Sequence, residues 1–123
     1  MLNPAKEQEL LDKLRSAEQS ADATAIESAV AGLALYYSVT EQFLAAVPLW
    51  RRGAELLAKS TAPDSCELAA YLHNMAAMCL IPADLRNEAR TTLKRSRELY
   101  GIYFPPDATP LLQVEALLNE IST

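Results

Sequence analysis

Apolar residues recur along this chain at intervals of three and four positions, the spacing of one face of an α-helix. The pattern divides into six segments, and each follows a residue type that caps helix N-termini or a proline suited to the first turn. No stretch alternates apolar and polar residues convincingly, as a half-buried strand does. The chain is therefore predicted to be all-α, with about six helices.

The predicted helix starts are Asn3-Pro4, Thr24, the neighbourhood of Thr40, Asp64, Asp84 and Thr109-Pro110. Thr24 and Asp64 are each followed three residues later by a glutamate, which is the capping-box arrangement. Pro48 lies inside the third segment and should bend or restart that helix. Ile81-Pro82 should end the fourth helix, and Phe104-Pro105-Pro106 the fifth.

Length and charge bound the class of protein. A chain of 123 residues fits one domain, and its net charge of −5 argues against general nucleic-acid binding. No apolar stretch approaches the roughly 20 residues that cross a bilayer, and the N-terminus lacks the basic start and apolar core of a secretory signal. We therefore expect a single cytoplasmic domain, residues 1–123, that neither binds nucleic acid nor inserts into a membrane.

The chain also repeats itself with a period near 42 residues. Leu33-Ala34 precedes Met75-Ala76 by 42 residues and, with one residue inserted at the second turn, Ala46 matches Ala89. The same register matches Trp50 with Leu93, Gly53 with Ser96, and Pro63-Asp64 with Pro106-Asp107. The second and third helices thus form one unit, and the fourth and fifth form another.

This pattern resembles the tetratricopeptide repeat (TPR), in the 42-residue variety found in kinesin light chains. The first helix of the first unit carries Val30, Leu33-Ala34 and Tyr37, and the second unit carries Leu72, Met75-Ala76 and Cys79 at the same places. Small residues follow where two helices cross most closely, Ala46 and Gly53 in one unit, Ala89 and Ser96 in the other. Pro48, Pro82 and Cys79 depart from the family pattern, and an unrelated helical bundle is the alternative.

The resemblance implies antiparallel helical hairpins stacked as a short right-handed superhelix. Its parts would be an N-terminal helix (1–22), repeat 1 (24–63), repeat 2 (64–106) and a C-terminal capping helix (107–123). Two full units fall short of the roughly three that repeat proteins usually need, so the terminal helices would cap the stack.

A binding groove is implied along the first helix of each unit. The residues that would face it are Ser28, Ala31, Gly32, Leu35 and Ser38 in repeat 1, and Ala70, His73, Asn74, Ala77 and Leu80 in repeat 2. Asn74 matches the family position whose asparagine often holds the backbone of a bound peptide, since an amide both donates and accepts. The alternative is that Asn74 is a solvated polar residue and that His73, the only histidine, is solvent-exposed or contacts another helix.

A basic stripe is predicted on the fifth helix. Arg86, Arg90, Lys94 and Arg97 are spaced by four, four and three residues, which places them on one side. The stripe could dock an acidic partner or the chain's own acidic first helix, with Glu7, Glu9 and Asp12; otherwise it is a solvated face.

No catalytic, cofactor or metal site is predicted. The sequence has no nucleophile beside a base, no glycine-rich phosphate loop and no histidine pair on one helix. Cys66 and Cys79 lie on different faces of one predicted helix, too far apart for a disulfide with each other, and neither converges with His73 on a metal.

The function predicted from these observations is a non-catalytic protein-interaction module, such as an adaptor, an assembly chaperone or a regulatory subunit, whose partner is a protein or peptide. The alternative is a structural protein that forms homo-oligomers through its terminal helices. In that case Leu111, Leu112, Leu117 and Leu118 of the last helix would supply the apolar face.

Overall fold

The computed structural model describes residues 3–60 and 65–122, and these ranges contain six α-helices and no strand. The helices are α1 (Pro4–Ser20), α2 (Ala23–Val39), α3 (Phe43–Ser60), α4 (Cys66–Met75), α5 (Arg86–Tyr103) and α6 (Thr109–Ile121), and α4 continues directly into a π-helix (Ala76–Leu80). The prediction of an all-α fold built from helical hairpins is confirmed.

The chain divides into two compact units, one within Met1–Ser60 and the other within Thr61–Thr123. In unit 1, α2 packs against both α1 and α3; in unit 2, α5 packs against both α4 and α6. Unit 1 thus holds the predicted N-terminal helix with repeat 1, and unit 2 holds repeat 2 with the predicted capping helix. The stacking of the units as a superhelix stays a prediction.

Short polar side chains cap the starts of α1, α2 and α4. Asn3 Oδ1 accepts a hydrogen bond from the amide of the third helical residue, and Pro4 opens α1 as predicted. The cap of α2 is Asp22 rather than Thr24, because the Asp22 carboxylate accepts from two first-turn amides. Ser65 caps α4 in the same way. Asp64, the predicted cap, lies outside the described residues.

The turn of the first hairpin recurs in the second with the same backbone hydrogen bonds, 43 residues later. The amide of Thr40 donates to the Tyr36 carbonyl at 3.1 Å, and the amide of Ala83 donates to the Cys79 carbonyl at 3.0 Å. The other matched bonds, donor first, are Glu41–Ser38 with Asp84–Ile81, Gln42–Tyr37 with Leu85–Leu80, and Ala46–Gln42 with Ala89–Leu85. Two hairpins of different sequence therefore share one turn geometry.

A left-handed residue lies at the centre of each turn. Glu41 and Asp84 both have a φ of 62°. A residue in this conformation cannot continue a right-handed helix. For this reason α3 begins at Phe43 rather than near Thr40, and α5 begins at Arg86 rather than at Asp84.

The π-helix accounts for the residue inserted between the two repeats. Up to the start of the π-helix the two hairpins match at an offset of 42 residues, because Ala34 and Ala76 are both fully buried. In the turns that follow, the matching hydrogen bonds are 43 residues apart. Within the π-helix the amide of Ile81 donates to the Ala76 carbonyl, five residues back, at 3.0 Å. Such a segment holds one residue more than an α-helix of the same span. The insertion predicted at the turn therefore lies inside the helix.

The π-helix also corrects one assignment within the repeat. In the hydrogen-bond register of the two turns, Leu80 corresponds to Tyr37 and Cys79 corresponds to Tyr36. Leu80 is fully buried. The second unit therefore places a large apolar residue where the first has its aromatic, and Cys79 does not occupy that place.

The residues that match between the second helices of the two hairpins are buried in both units. Ala46, Trp50 and Gly53 are buried on α3, and Ala89, Leu93 and Ser96 are buried on α5. Small side chains at these crossings let the paired helices approach closely.

Pro48 neither ends nor restarts α3, which is continuous from Phe43 to Ser60. A helical proline leaves the carbonyl four residues earlier, here that of Leu44, without its intrahelical donor. Both Leu44 and Pro48 are exposed, so water can reach this part of the helix.

Candidate functional site

A groove of about 490 Å³ runs between α1 and α2 in unit 1. Its floor consists of small or aliphatic residues, and its polar groups are three serines and one lysine. The lining residues are Leu10, Lys13, Ser16, Ala17 and Ser20 of α1 and Ala25, Ser28, Ala29 and Gly32 of α2. The volume lies in the range of ligand pockets, and the lining favours an apolar occupant fixed by a few hydrogen bonds.

Small residues open this groove because they leave the space beside the helix backbones unfilled. Ala25, Ala29 and Gly32 follow one another on α2 at spacings of four and three, and Ala17 faces them from α1. A Cβ atom on Gly32 would lie 3.9 Å from Leu10 Cδ2, which is ordinary contact. The narrow part of the groove is thus backbone and methyl surface.

Two tyrosines of α2 fasten α1 beside the groove. The hydroxyl of Tyr36 accepts from the Asn3 amide at 2.8 Å and donates to the Asn3 carbonyl at 2.9 Å. Tyr37 donates to Glu7 Oε2 at 2.7 Å. Burial, and after it the hydrogen bond to Glu7, raise the pKa of Tyr37 to about 12. The start of α1 is therefore tied to α2 by side chains outside the groove lining.

The predicted groove residues of repeat 1 have different surroundings in the structure. Gly32 lines the α1–α2 groove, and Leu35 is 44% exposed. Ser38 is buried, and its hydroxyl accepts a hydrogen bond of 2.8 Å from Trp50 Nε1. The prediction that Ser38 faces a partner is therefore wrong, because its side chain satisfies a buried indole.

In repeat 2 the predicted residues lie on one face of α4 and its continuation. Asn74 is exposed, and Ala70, His73 and Ala77 are half-buried. Leu80, which would continue the face, is buried because the π-helix turns it into the core. Asn74 thus has the exposure that a peptide contact requires, with two alanines beside it.

His73 contacts α5 rather than standing free in solvent. Its Nδ1 lies 3.4 Å from the Tyr100 hydroxyl, and the two rings pack edge to face. Burial lowers the pKa of His73, because removing an imidazolium from water is unfavourable. This contact is the helix contact that the sequence left open as the alternative.

The basic stripe follows the seam between α5 and α6. Arg97 forms a 2.8 Å ion pair with Glu115 of α6, and Arg90 Nη2 donates to the Ile121 carbonyl at 3.3 Å. The second contact places a cation at the C-terminus of α6, where the helix dipole favours it. Arg86 pairs with Asp84, and Lys94 is exposed. Much of the stripe therefore fastens the last helix of the chain itself.

The acidic residues of α1 have partners within unit 1. Glu7 accepts from Tyr37, Glu9 pairs with Lys6 at 3.7 Å, and Asp12 pairs with Arg15 at 3.4 Å.

Comparison of the sequence with protein-family models and with curated proteins finds no match. In the described part of the chain, no three or more histidine, cysteine or acidic side chains are arranged to hold a metal ion. None of the helices described is both long and apolar enough to span a bilayer. Neither Cys66 nor Cys79 forms a disulfide.

The contribution of α1 to the groove was missed at the sequence level. Ser16, Ala17 and Ser20 are small residues on one face of α1, as Ala25, Ala29 and Gly32 are on α2. Two small-residue faces on consecutive helices were the available signal. The sequence placed the groove along the repeat helices instead, because the family resemblance begins only at Thr24.

Proposed function

We propose that this chain is a non-catalytic protein-interaction module of the tetratricopeptide type, in which the α1–α2 groove receives an apolar segment of a protein partner. The face of α4 around Asn74 is a second contact surface for such a partner. Adaptors, assembly chaperones and regulatory subunits are the classes of protein that use modules of this kind.

The observation that carries the proposal is the repeated hairpin. Four backbone hydrogen bonds of one turn recur in the other at a constant offset, and both hairpins bury small residues at matching helix crossings. Helical hairpins that repeat along a chain form extended binding surfaces more often than catalytic pockets. The repeat therefore supports a binding role over a catalytic one.

The chemistry of the groove supports an apolar, segment-like partner. Alanine and glycine on the floor let a bound backbone approach closely, while the serine hydroxyls can donate to or accept from its peptide groups. Lys13 is exposed at the rim and favours an acidic residue or a chain carboxylate at that end.

A capture experiment with groove-filling variants tests the proposal. The tagged chain is incubated with extract of its native cell, and bound proteins are identified by mass spectrometry. Ser16→Tyr fills the groove from an exposed rim position, and Gln19→Tyr places the same side chain on α1 outside the lining. Asn74→Ala and Arg86→Glu/Lys94→Glu probe the α4 face and the exposed part of the basic stripe.

We expect to identify a protein that both the wild type and Gln19→Tyr bind. Its affinity for Ser16→Tyr should be at least tenfold lower, a loss of about 1.4 kcal/mol of binding free energy. Partly reduced capture of this protein by Asn74→Ala would indicate that the partner also contacts unit 2. A partner retained equally by Ser16→Tyr and Gln19→Tyr would exclude the groove, and loss confined to Arg86→Glu/Lys94→Glu would assign binding to the stripe.

A further inference from the structure

Unit 2 carries a second recess, of about 420 Å³, at the α5–α6 hairpin. Its lining residues are Arg97, Gly101 and Phe104 of the α5 side, Pro106 of the connection, and Leu111 and Glu115 of α6. A Cβ atom on Gly101 would meet no heavy atom within 4 Å, so the recess is open at that point. Its apolar wall is firm, because the Phe104 ring packs on Tyr100 with centroids 6.0 Å apart.

An exposed leucine stands beside this recess. Leu112 is 55% exposed, although the adjacent Leu111 is buried in the recess wall. Leu112 and Glu115 are three residues apart on α6, so they are neighbours on the helix surface. The hairpin therefore presents an apolar projection next to an apolar depression.

The charges at the rim are of both signs. Arg97 and Glu115 form their 2.8 Å ion pair across the mouth of the recess, and their side chains remain 41% and 46% exposed. A strongly acidic or basic partner would gain little here, because each rim charge that attracts it lies beside one that repels it. A two-fold axis that crosses the Arg97–Glu115 pair midway, in contrast, brings each arginine to the glutamate of the other copy.

We propose that the α5–α6 face binds a second copy of this chain about a two-fold axis. Leu112 of each protomer enters the recess of the other, above Gly101 and against Phe104. Arg97 of each protomer also approaches Glu115 of its partner, so the rim pairs are shared between the chains. Of the terminal leucines, Leu111 and Leu118 are buried and Leu117 is half-buried, so Leu112 is the side chain available for this contact.

The molar mass of the full chain in solution tests this interface. We expect a concentration-dependent dimer in sedimentation velocity. Leu112→Ser removes the projection and Gly101→Leu fills the recess, and each should raise the dimer dissociation constant at least tenfold. Leu44→Ser is the matched control, because Leu44 is the more exposed leucine at 73% and lies in unit 1.

A charge exchange separates association from folding. In the double variant Arg97→Glu/Glu115→Arg, opposite charges still face each other within each chain and between two identical copies. This variant should therefore dimerise like the wild type. Mixed dimers with the wild type would place like charges together and should form several-fold less often in native mass spectrometry. The proposal would be overturned by a monomer at every concentration or by a dimer that Leu112→Ser and Gly101→Leu leave unchanged. Equal weakening of the dimer by Leu44→Ser would also overturn it, as would mixed dimers of wild type and charge-exchanged chain that form as often as the unmixed ones.

This interface is independent of the proposed partner groove, which lies in unit 1. Loss of partner capture by Ser16→Tyr with an unchanged dimer would leave both proposals standing. Loss of the dimer by Gly101→Leu with unchanged capture would do the same.

Discussion

The indole Nε1 of Trp50 donates a hydrogen bond of 2.8 Å to the Ser38 hydroxyl, and both side chains are buried. The equivalent positions in unit 2 hold Leu93 and Ile81, so the two hairpins differ here in polarity although they share a turn. A buried indole that loses its acceptor loses more than the net worth of the bond, because water does not replace it.

Ser38→Ala should lower the free energy of unfolding by about 1–3 kcal/mol. In a Trp50→Phe background the same change should cost much less, since no indole N–H remains to be satisfied. Urea unfolding followed by circular dichroism measures both, and Ser28→Ala, an exposed serine of the same helix, is the control. Equal costs in the two backgrounds would show that the hydrogen bond does not account for the effect.

Ala46→Leu should overpack the α2–α3 crossing and cost about 1–3 kcal/mol, because Ala46 is fully buried against the paired helix. Ala89→Leu should have a similar effect on the second hairpin. Ala45→Leu introduces the same side chain at an exposed position and serves as the control. Thermal unfolding that is unchanged by Ala46→Leu would contradict the repeat register.

Ala21→Gly should stabilise unit 1 by about 1 kcal/mol, because Ala21 ends α1 with a φ of 57°, where a Cβ atom is unfavourable. Ala45→Gly, on a helical alanine, should act in the opposite direction by up to about 1 kcal/mol. Urea midpoints of the two variants give the comparison. Destabilisation by both would indicate that Ala21 is not strained.

The stability of the chain should fall as the pH drops below 6.5, the ordinary pKa of histidine. Burial lowers the pKa of His73 in the folded state, so the unfolded state binds more protons in the window between the two pKa values. The free energy of unfolding therefore rises with pH through that window and levels off on both sides of it. His73→Gln should flatten this dependence, since the chain has no other histidine. An unchanged slope in urea unfolding between pH 5 and 7 would refute the assignment.

Deletion of Met78 should be tolerated because it removes the extra residue of the π-helix and restores the 42-residue offset throughout. The residues before and after it would keep their faces, so we expect cooperative unfolding with a cost below about 2 kcal/mol. Deletion of Ala31 in α2 should be far more damaging, since it rotates the two parts of that helix by about 100° relative to each other. Similar losses in the two deletions, measured by urea unfolding, would mean that the π-helix does not absorb an insertion.

The order and type of the helices follow from apolar spacing, because each helix must bury one face. The starts of α1 and α6 also follow from local chemistry, since Pro4 and Pro110 both lie in the first helical turn. The starts of α3 and α5 were misplaced because a residue type does not by itself fix a positive φ, although aspartate adopts one more readily than glutamate. Pro48 was overestimated as a breaker, because its cost depends on whether water reaches the helix there.

The candidate sites could be predicted only in part. Asn74 is exposed and Gly32 is half-buried in the lining of a groove, placements that follow from helix periodicity. Their role in binding stays a prediction. Ser38 and Leu80 were misplaced because the orientation of Ser38 depends on the Trp50 indole and that of Leu80 on the π-helix. Neither feature produces a periodic pattern in the sequence. The seam role of Arg90 and Arg97 depends on where α6 docks, a long-range contact that a single helix pattern does not contain.

The π-helix has a consequence for tracing the ancestry of the two hairpins. An insertion inside a helix divides each hairpin into two blocks that align only at different offsets, with the break between Ala76 and Leu80. An alignment that forbids gaps within helices pairs Tyr37 with Cys79 and loses the matches that follow, such as Ala46 with Ala89. Relatives of this chain that lack the extra residue would show both hairpins in a single uninterrupted register.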